Sequence, residues 1–379
     1  MASLATFMAG FITRPLGGVV IGIFSDRVGR RPAMLISFGM MGVSIISLAL
    51  IPSYAAIGVA APILAIAARM VQGFSLGGEV GPTTAYLVEA APAKQRGMAT
   101  SWQGASQATA ATLAALVGLV LSNLLSAQAL ESYGWRIAFL IGAATLPYGL
   151  WLRRRLPETR HAPEAHPTSA PGGSAAELLA GSRRIIGLAL LVFIAGTIAT
   201  YVGNYMTTFA QHTLHMPASV AFAGSACANI AGIAGGLYGG WLSDRVGRRP
   251  VMIWPALVNL VALLPVFFWI TSYPSALSLI VGTVFLSIFS AMGAGAFYPA
   301  VVESLPKPIR GSTFGIVYAL AISIFGGTTQ LVITWLIHVT GSNMAPAYYL
   351  LAASLLGFGA RWLILESAPA KVLASGDAR

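Results

Sequence analysis

The sequence predicts an all-α membrane protein built as two related helical bundles, with about eleven transmembrane helices. Three observations predict this class. Of 379 residues, 56% are apolar and only 9% are Asp, Glu, Lys or Arg, whereas soluble domains carry about 25% charged residues. So few charges cannot cover the surface of a soluble fold of this size, which excludes a soluble enzyme or a nucleic-acid binder. The apolar residues form continuous stretches of about 20, the length that crosses a bilayer as a helix. They do not alternate as the strands of a membrane barrel do. Finally, an eight-residue string occurs twice, which marks a duplication.

In chain order the apolar stretches are 4–24, 33–51, 57–88, 98–125, 135–152, 185–208, 218–242, 250–270, 275–303, 312–337 and 346–365. The longest connection, 153–184, carries Arg153, Arg154, Arg155, Arg160, Arg183 and Arg184 among several prolines and glycines, the composition of a flexible polar linker. It divides an amino-terminal bundle (1–152) from a carboxy-terminal bundle (185–366), with a tail at 367–379. The net charge is +11, and most of the basic residues lie in the 25–32, 90–97, 153–184, 243–250 and 304–311 connections. Lys and Arg collect in cytoplasmic loops, so these loops are cytoplasmic, and alternation puts Met1 outside. The +11 therefore marks membrane orientation, with no anionic macromolecule as partner. The single cysteine, Cys227, sits in an apolar stretch, so a disulfide within the chain is impossible. The histidines show no metal-ligand spacing and no Gly-Lys-Ser/Thr phosphate loop occurs, so neither metal nor nucleotide cofactor is expected.

The duplication is explicit. Ser25-Asp26-Arg27-Val28-Gly29-Arg30-Arg31-Pro32 recurs as Ser243-Asp244-Arg245-Val246-Gly247-Arg248-Arg249-Pro250, at an offset of 218. Val88-Glu89, Pro92, Arg96 and Gly97 recur as Val302-Glu303, Pro306, Arg310 and Gly311, at an offset of 214. Two apolar stretches precede Asp244 within its half, and one precedes Asp26. The arithmetic thus predicts a design of six plus six helices from which the first is missing.

These motifs resemble the major facilitator superfamily. Gly22-x-x-x-Asp26-Arg27-x-Gly29-Arg30-Arg31 is similar to its loop between helices 2 and 3, and Glu89-x-x-Pro92-x-x-x-Arg96-Gly97 to the motif after helix 4. Arg14-Pro15-Leu16-Gly17, Arg69-x-x-Gln72-Gly73-Phe74-Ser75-x-Gly77-Gly78-Glu79, Trp135-Arg136-x-x-Phe139, Tyr205-Met206 and Phe325-Gly326-Gly327-Thr328 narrow the likeness to the metabolite:proton symporters, which carry citrate, tricarballylate, 2-oxoglutarate or proline and betaine. The resemblance implies a monomeric secondary transporter with two six-helix bundles, here without the first helix, in a bacterial cytoplasmic membrane. Parallel repeats of this kind hold the substrate between the halves.

Charges inside the membrane are costly and mark functional candidates. Arg14 lies about 18 Å along a helix from Asp26, and Glu79 about 15 Å from Glu89. With Arg69 they form a set of three deep charges whose repeat counterparts, Gly232, Thr283 and Gly293, are uncharged. Arg69, Gln72, Glu79, Thr83 and Tyr86 share one helical arc, and Thr197, Tyr201, Asn204, Tyr205, Thr208 and His212 share another. Such arcs line a polar path or make hydrogen bonds between helices. Gln103, Gln107, Tyr298 and Gln330 are further candidates for the path. Arg14 and Arg69 keep their charge and can hold a carboxylate. Glu79 is the acid able to exchange a proton, or else a permanent partner of Arg14. A cytoplasmic gate is expected from Asp26, Arg27, Arg30, Arg31, Glu89 and Arg96 and from Asp244, Arg245, Arg248, Arg249, Glu303 and Arg310. The resemblance implies a latch there, whereas the arginines alone would only orient the loops.

The expected activity is proton-coupled symport of a small organic anion such as citrate. A zwitterionic osmolyte held by Tyr201 and Tyr205 is the alternative, and a transport-inactive remnant or sensor is the reading from another class. No nucleophile–base constellation suggests an enzyme.

Overall fold

The computed structural model describes residues 10–158 and 175–368. The first nine residues, half of the expected linker (159–174) and most of the tail (369–379) lie outside the described residues. Within them the chain is helical and contains no strand. Eleven long helical stretches follow one another: α1 Arg14–Arg27, α2 Arg30–Leu50, α3 Ala60–Ala90, α4 Arg96–Leu124, α5 Ser132–Arg155, α6 Ala175–His212, α7 Ala218–Val246, α8 Arg248–Ser272, α9 Ala276–Glu303, α10 Lys307–Thr340 and α11 Ala345–Leu363. Eight of them (α2, α3 and α5–α10) are long and apolar enough to cross a membrane. Each matches one apolar stretch of the sequence, with ends that run on into polar residues. At 38 residues, α6 is about 57 Å long at 1.5 Å per residue, longer than a bilayer core of about 30 Å. Its first turns carry Glu177, Arg183 and Arg184 and begin ten residues before the apolar stretch.

Local chemistry explains several ends. Pro15 stands in the first turn of α1, where its missing N–H costs nothing. Ser275 and Ser278 form a reciprocal capping box at the start of α9. α1 passes to α2 through Gly29 at φ 147°, and α7 passes to α8 through Gly247 at φ 110°, a backbone region that side chains avoid. The repeat persists in three dimensions: 3-10 turns at Ala93–Gln95 and Lys307–Ile309 precede α4 and the regular helix of α10, again 214 residues apart.

The described helices fall into two compact units, and each draws on both halves of the sequence. Of the described residues, unit 1 comprises 10–86, 113–158, 175–181 and 306–323, and unit 2 comprises 87–112, 182–305 and 324–368. In unit 1, α1 crosses α3 backbone against backbone. A Cβ on Gly17 would overlap the Phe74 carbonyl, and one on Gly77 would overlap the Arg14 carbonyl. In lipid, helices gain little from apolar burial against each other, so such close approach and interhelical hydrogen bonds carry the packing. Thr13 Oγ1 donates to the Met70 carbonyl at 2.7 Å, and Ser44 Oγ to the Ala68 carbonyl at 2.9 Å. Unit 2 packs α6, α8, α9, α10 and α11 around Phe209, Phe267, Ile270, Leu279 and Ile333. Ser287 Oγ ties α9 to the Ala228 carbonyl of α7 at 2.7 Å.

Candidate functional site

In unit 1, Arg14 of α1 and Arg69 of α3 line the same recess, together with Gly10, Phe11, Gln72, Gly73 and Leu76. The Gly73–Gly77 ridge of α3 creates it by letting α1 lie close enough for Arg14 to reach the Arg69–Gln72 turn. Arg69 donates to Gln72 Oε1 at 2.8 Å, and its guanidinium stands 5.9 Å from the Phe139 ring. Arg14 stands 4.2 Å from the Phe11 ring, and its buried Nε has no hydrogen-bond partner among the described residues. Two guanidinium groups thus meet in a recess with no carboxylate among its lining residues. The space is about 40 Å³, enough for one carboxylate group or a few waters.

Glu79 does not pair with Arg14. It accepts from Arg153 Nη2 at 2.5 Å, and Arg153 Nη1 donates to the Met34 carbonyl at 3.0 Å while its guanidinium lies 4.1 Å over the Phe38 ring. The reason is rotation along α3. Gly77 faces α1, and Glu79, two residues on, is turned 200° away. It stands near Ser75, whose hydroxyl donates to the Ser37 carbonyl of α2. The side chain therefore points toward α2 and α5, and Arg153, read in the sequence as linker, is its partner in the last turn of α5. Of the rest of that arc, Tyr86 is buried and Thr83 Oγ1 is buried without a partner among the described residues.

The repeated turns use their acids in a way the sequence did not indicate. Asp26 accepts the backbone N–H groups of Gly311 at 3.1 Å and Ser312 at 2.7 Å. Asp244 accepts those of Gly97 and Met98, both at 2.8 Å. Each aspartate caps the start of a helix from the opposite half of the chain, where free N–H groups and the helix dipole favour an anion. Arg30 pairs with Asp26, and Arg248 with Asp244 at 2.6 Å. Arg248, fully buried, also grips Glu303 through Nε at 3.2 Å and Nη2 at 3.1 Å, and Arg96 lies 3.8 Å from Glu303. Arg31 donates to the Arg154 carbonyl and Arg249 to the Trp362 carbonyl, while Arg245 lies over Trp241. Arg27 is exposed, and Glu89 and Arg310 are half-buried.

Sequence reading missed two residues of these turns. Glu158 accepts from the N–H groups of Arg30 and Arg31 at 2.8 and 3.0 Å, and Glu366 does the same for Arg248 and Arg249. The available signal was a third repeat, an acid just past the last helix of each half at an offset of 208.

The unit 2 candidates are dispersed. Tyr205 is packed in the apolar core beside Phe209, because it stands at the inner edge of the α6 arc. Asn204 is exposed. Tyr201 lies against Gly326, where a Cβ would stand 2.9 Å from its ring; Gly326 closes the π-turn Ile322–Gly326 of α10. Tyr298 packs at a tilt against Phe193 and edge-on against Phe297. Gln103 is half-buried, while Gln107 and Gln330 are exposed.

The sequence profile described as Major Facilitator Superfamily matches residues 1–239 and again 188–378. The chain is 35% identical over 357 residues to a citrate-proton symporter of Klebsiella pneumoniae, covering 94% of this chain and 80% of that one. It is 31% identical over 377 residues to the glycine betaine/proline/ectoine/pipecolic acid transporter OusA of Dickeya dadantii, covering 94% and 73%. In three dimensions it resembles the proton:xylose symporter XylE at a TM-score of 0.78 and 18% identity, covering 98% of this chain and 89% of that one. The fucose:proton symporter FucP in the outward conformation gives 0.72 at 15% identity, covering 95% and 89%. Matched along both halves by one profile and sharing this fold, the chain is a multi-pass membrane transporter, not an enzyme, and it belongs to the major facilitator superfamily.

Proposed function

We propose that the protein is a proton-coupled symporter of a small organic anion, a tri- or dicarboxylate such as citrate, acting as a monomer in a bacterial cytoplasmic membrane. The observation that carries this reading is the pair Arg14 and Arg69 in one recess with no acid among its lining residues. Two such cations repel one another and attract an anion, and a guanidinium binds a carboxylate through paired hydrogen bonds. The recess takes one carboxylate group of the substrate, so the rest of the molecule extends beyond it. The 35% identity to citrate-proton symporters supports the same solute class. Alternating access makes and breaks the aspartate caps of the motif turns. Glu79 carries the coupling proton, since its protonation weakens the hold on Arg153.

The test is uptake into proteoliposomes with an acidic exterior, comparing citrate, 2-oxoglutarate, proline and betaine. Citrate is expected to accumulate, and Arg69→Gln to lower its uptake at least tenfold. Glu79→Gln should leave citrate exchange intact while abolishing accumulation; accumulation retained in that variant would remove Glu79 from the coupling. Accumulation of betaine in place of citrate would transfer the assignment to the osmolyte reading, which the relative OusA favours.

A further inference from the structure

The two halves correspond contact for contact at three offsets. At 218, Arg30 and Arg31 become Arg248 and Arg249; at 214, Gly97 and Met98 become Gly311 and Ser312; at 208, Glu158 and the Arg154 carbonyl become Glu366 and the Trp362 carbonyl. The same offsets carry Arg153 onto Arg361, Glu79 onto Gly293, Met34 onto Met252 and Phe38 onto Ala256. In the first half, Arg153 is satisfied by the Glu79 carboxylate, the Met34 carbonyl and the Phe38 ring. In the second half the acid has become glycine and the ring alanine, and the arginine remains.

Two observations show that no described residue has replaced them. The Arg361 Nε is buried without a partner, and its guanidinium makes no hydrogen bond, ion pair or ring contact among the described residues. Gly293 is buried, yet a Cβ there would meet only the Met252 carbonyl, at 3.9 Å. Arg361 as a whole is half-buried; an arginine cannot shed its charge, and a buried N–H of its guanidinium left without an acceptor is costly.

We propose that Arg361 holds a small monovalent anion, of carboxylate or halide size, in the slot that Gly293 leaves. The bound anion takes the place that the Glu79 carboxylate fills in the other half. This site is separate from the Arg14–Arg69 recess and does not depend on the substrate assigned to it.

The test is thermal unfolding of the purified full chain in nanodiscs of zwitterionic lipid. The bulky anion MES is exchanged for chloride or acetate at constant ionic strength. The wild-type Tm is expected to rise by about 2–4 °C and to saturate. The rise should persist in Arg69→Gln and vanish in Arg361→Gln. Gly293→Glu supplies its own carboxylate, so it should be more stable than wild type in MES and should not respond to acetate. A wild-type Tm equal in MES, chloride and acetate would overturn the proposal, whether the cause is an empty slot or an occupant from the chain's own tail. So would a response that survives in Arg361→Gln, which would place the anion elsewhere. If Gly293→Glu does not fold, the comparison of wild type with Arg361→Gln decides alone.

Discussion

At Gly247, two demands meet on one atom position. The backbone has φ 110°, and a Cβ would stand 2.6 Å from Glu366 Oε2. Gly247→Ala must therefore both strain the turn and push away the carboxylate that caps α8. The expected loss is about 1–3 kcal/mol, read as a lower Tm, whereas Gly359→Ala, with nothing within 4 Å, should leave the Tm unchanged or slightly higher. The Glu79–Arg153 pair makes a second residue-scale prediction. Either single leucine substitution leaves a charge without its partner, so each should cost more than the double substitution. A double-mutant cycle should give a coupling of about 1–3 kcal/mol; additive effects would mean that the two side chains act independently. At this scale the sequence was partly legible. It pointed to Arg14, Arg69 and Glu79 because buried charge is conspicuous. It could not pair them, because pairing depends on a 200° turn along α3 and on a last turn of α5 that reads as linker. Glu158 and Glu366 escaped because the backbone N–H groups they accept from carry no residue signature.

At the scale of the element, the crossing of α1 and α3 is the most constrained contact of unit 1. The carbonyls of Phe74 and Arg14 occupy the places where Gly17 and Gly77 would carry side chains. Gly77→Val should separate the helices, remove the recess that Arg14 shares with Arg69 and sharply reduce folded yield by size-exclusion chromatography. Gly104→Ala in α4, which meets nothing within 4 Å, should be neutral or stabilising by up to about 1 kcal/mol. Folded yield unchanged in Gly77→Val would mean that the backbones can move apart without penalty. The helices themselves were legible from hydropathy alone, since a bilayer-crossing segment needs little else. Their partners were not, because small residues permit contact with any neighbour and name none.

For the whole molecule, the duplication was the most legible feature: it located both motif turns before any contact was known. Its three-dimensional use was hidden, because the sequence places Asp26 beside arginines, and its carboxylate, besides pairing with Arg30, also reaches amides in the other half. If these caps hold the helix starts, Asp26→Asn should loosen α10 and Asp244→Asn should loosen α4, each by about 1 kcal/mol. With Cys227 replaced by serine, a cysteine at Ser312 should then react several-fold faster with maleimide in Asp26→Asn than in its parent. Equal rates would show that the carboxylate does not hold that helix.

The same cap has a consequence for biosynthesis. Asp26 and its amide partner Gly311 are 285 residues apart. At 5–20 residues per second, the ribosome needs about 15–60 s to deliver that partner. Throughout that interval the first turn is already in the membrane with its carboxylate unclaimed by any helix start. Unit 1 therefore closes only after most of unit 2 has been made, and a nascent chain stalled before residue 306 would leave the older end of the protein waiting.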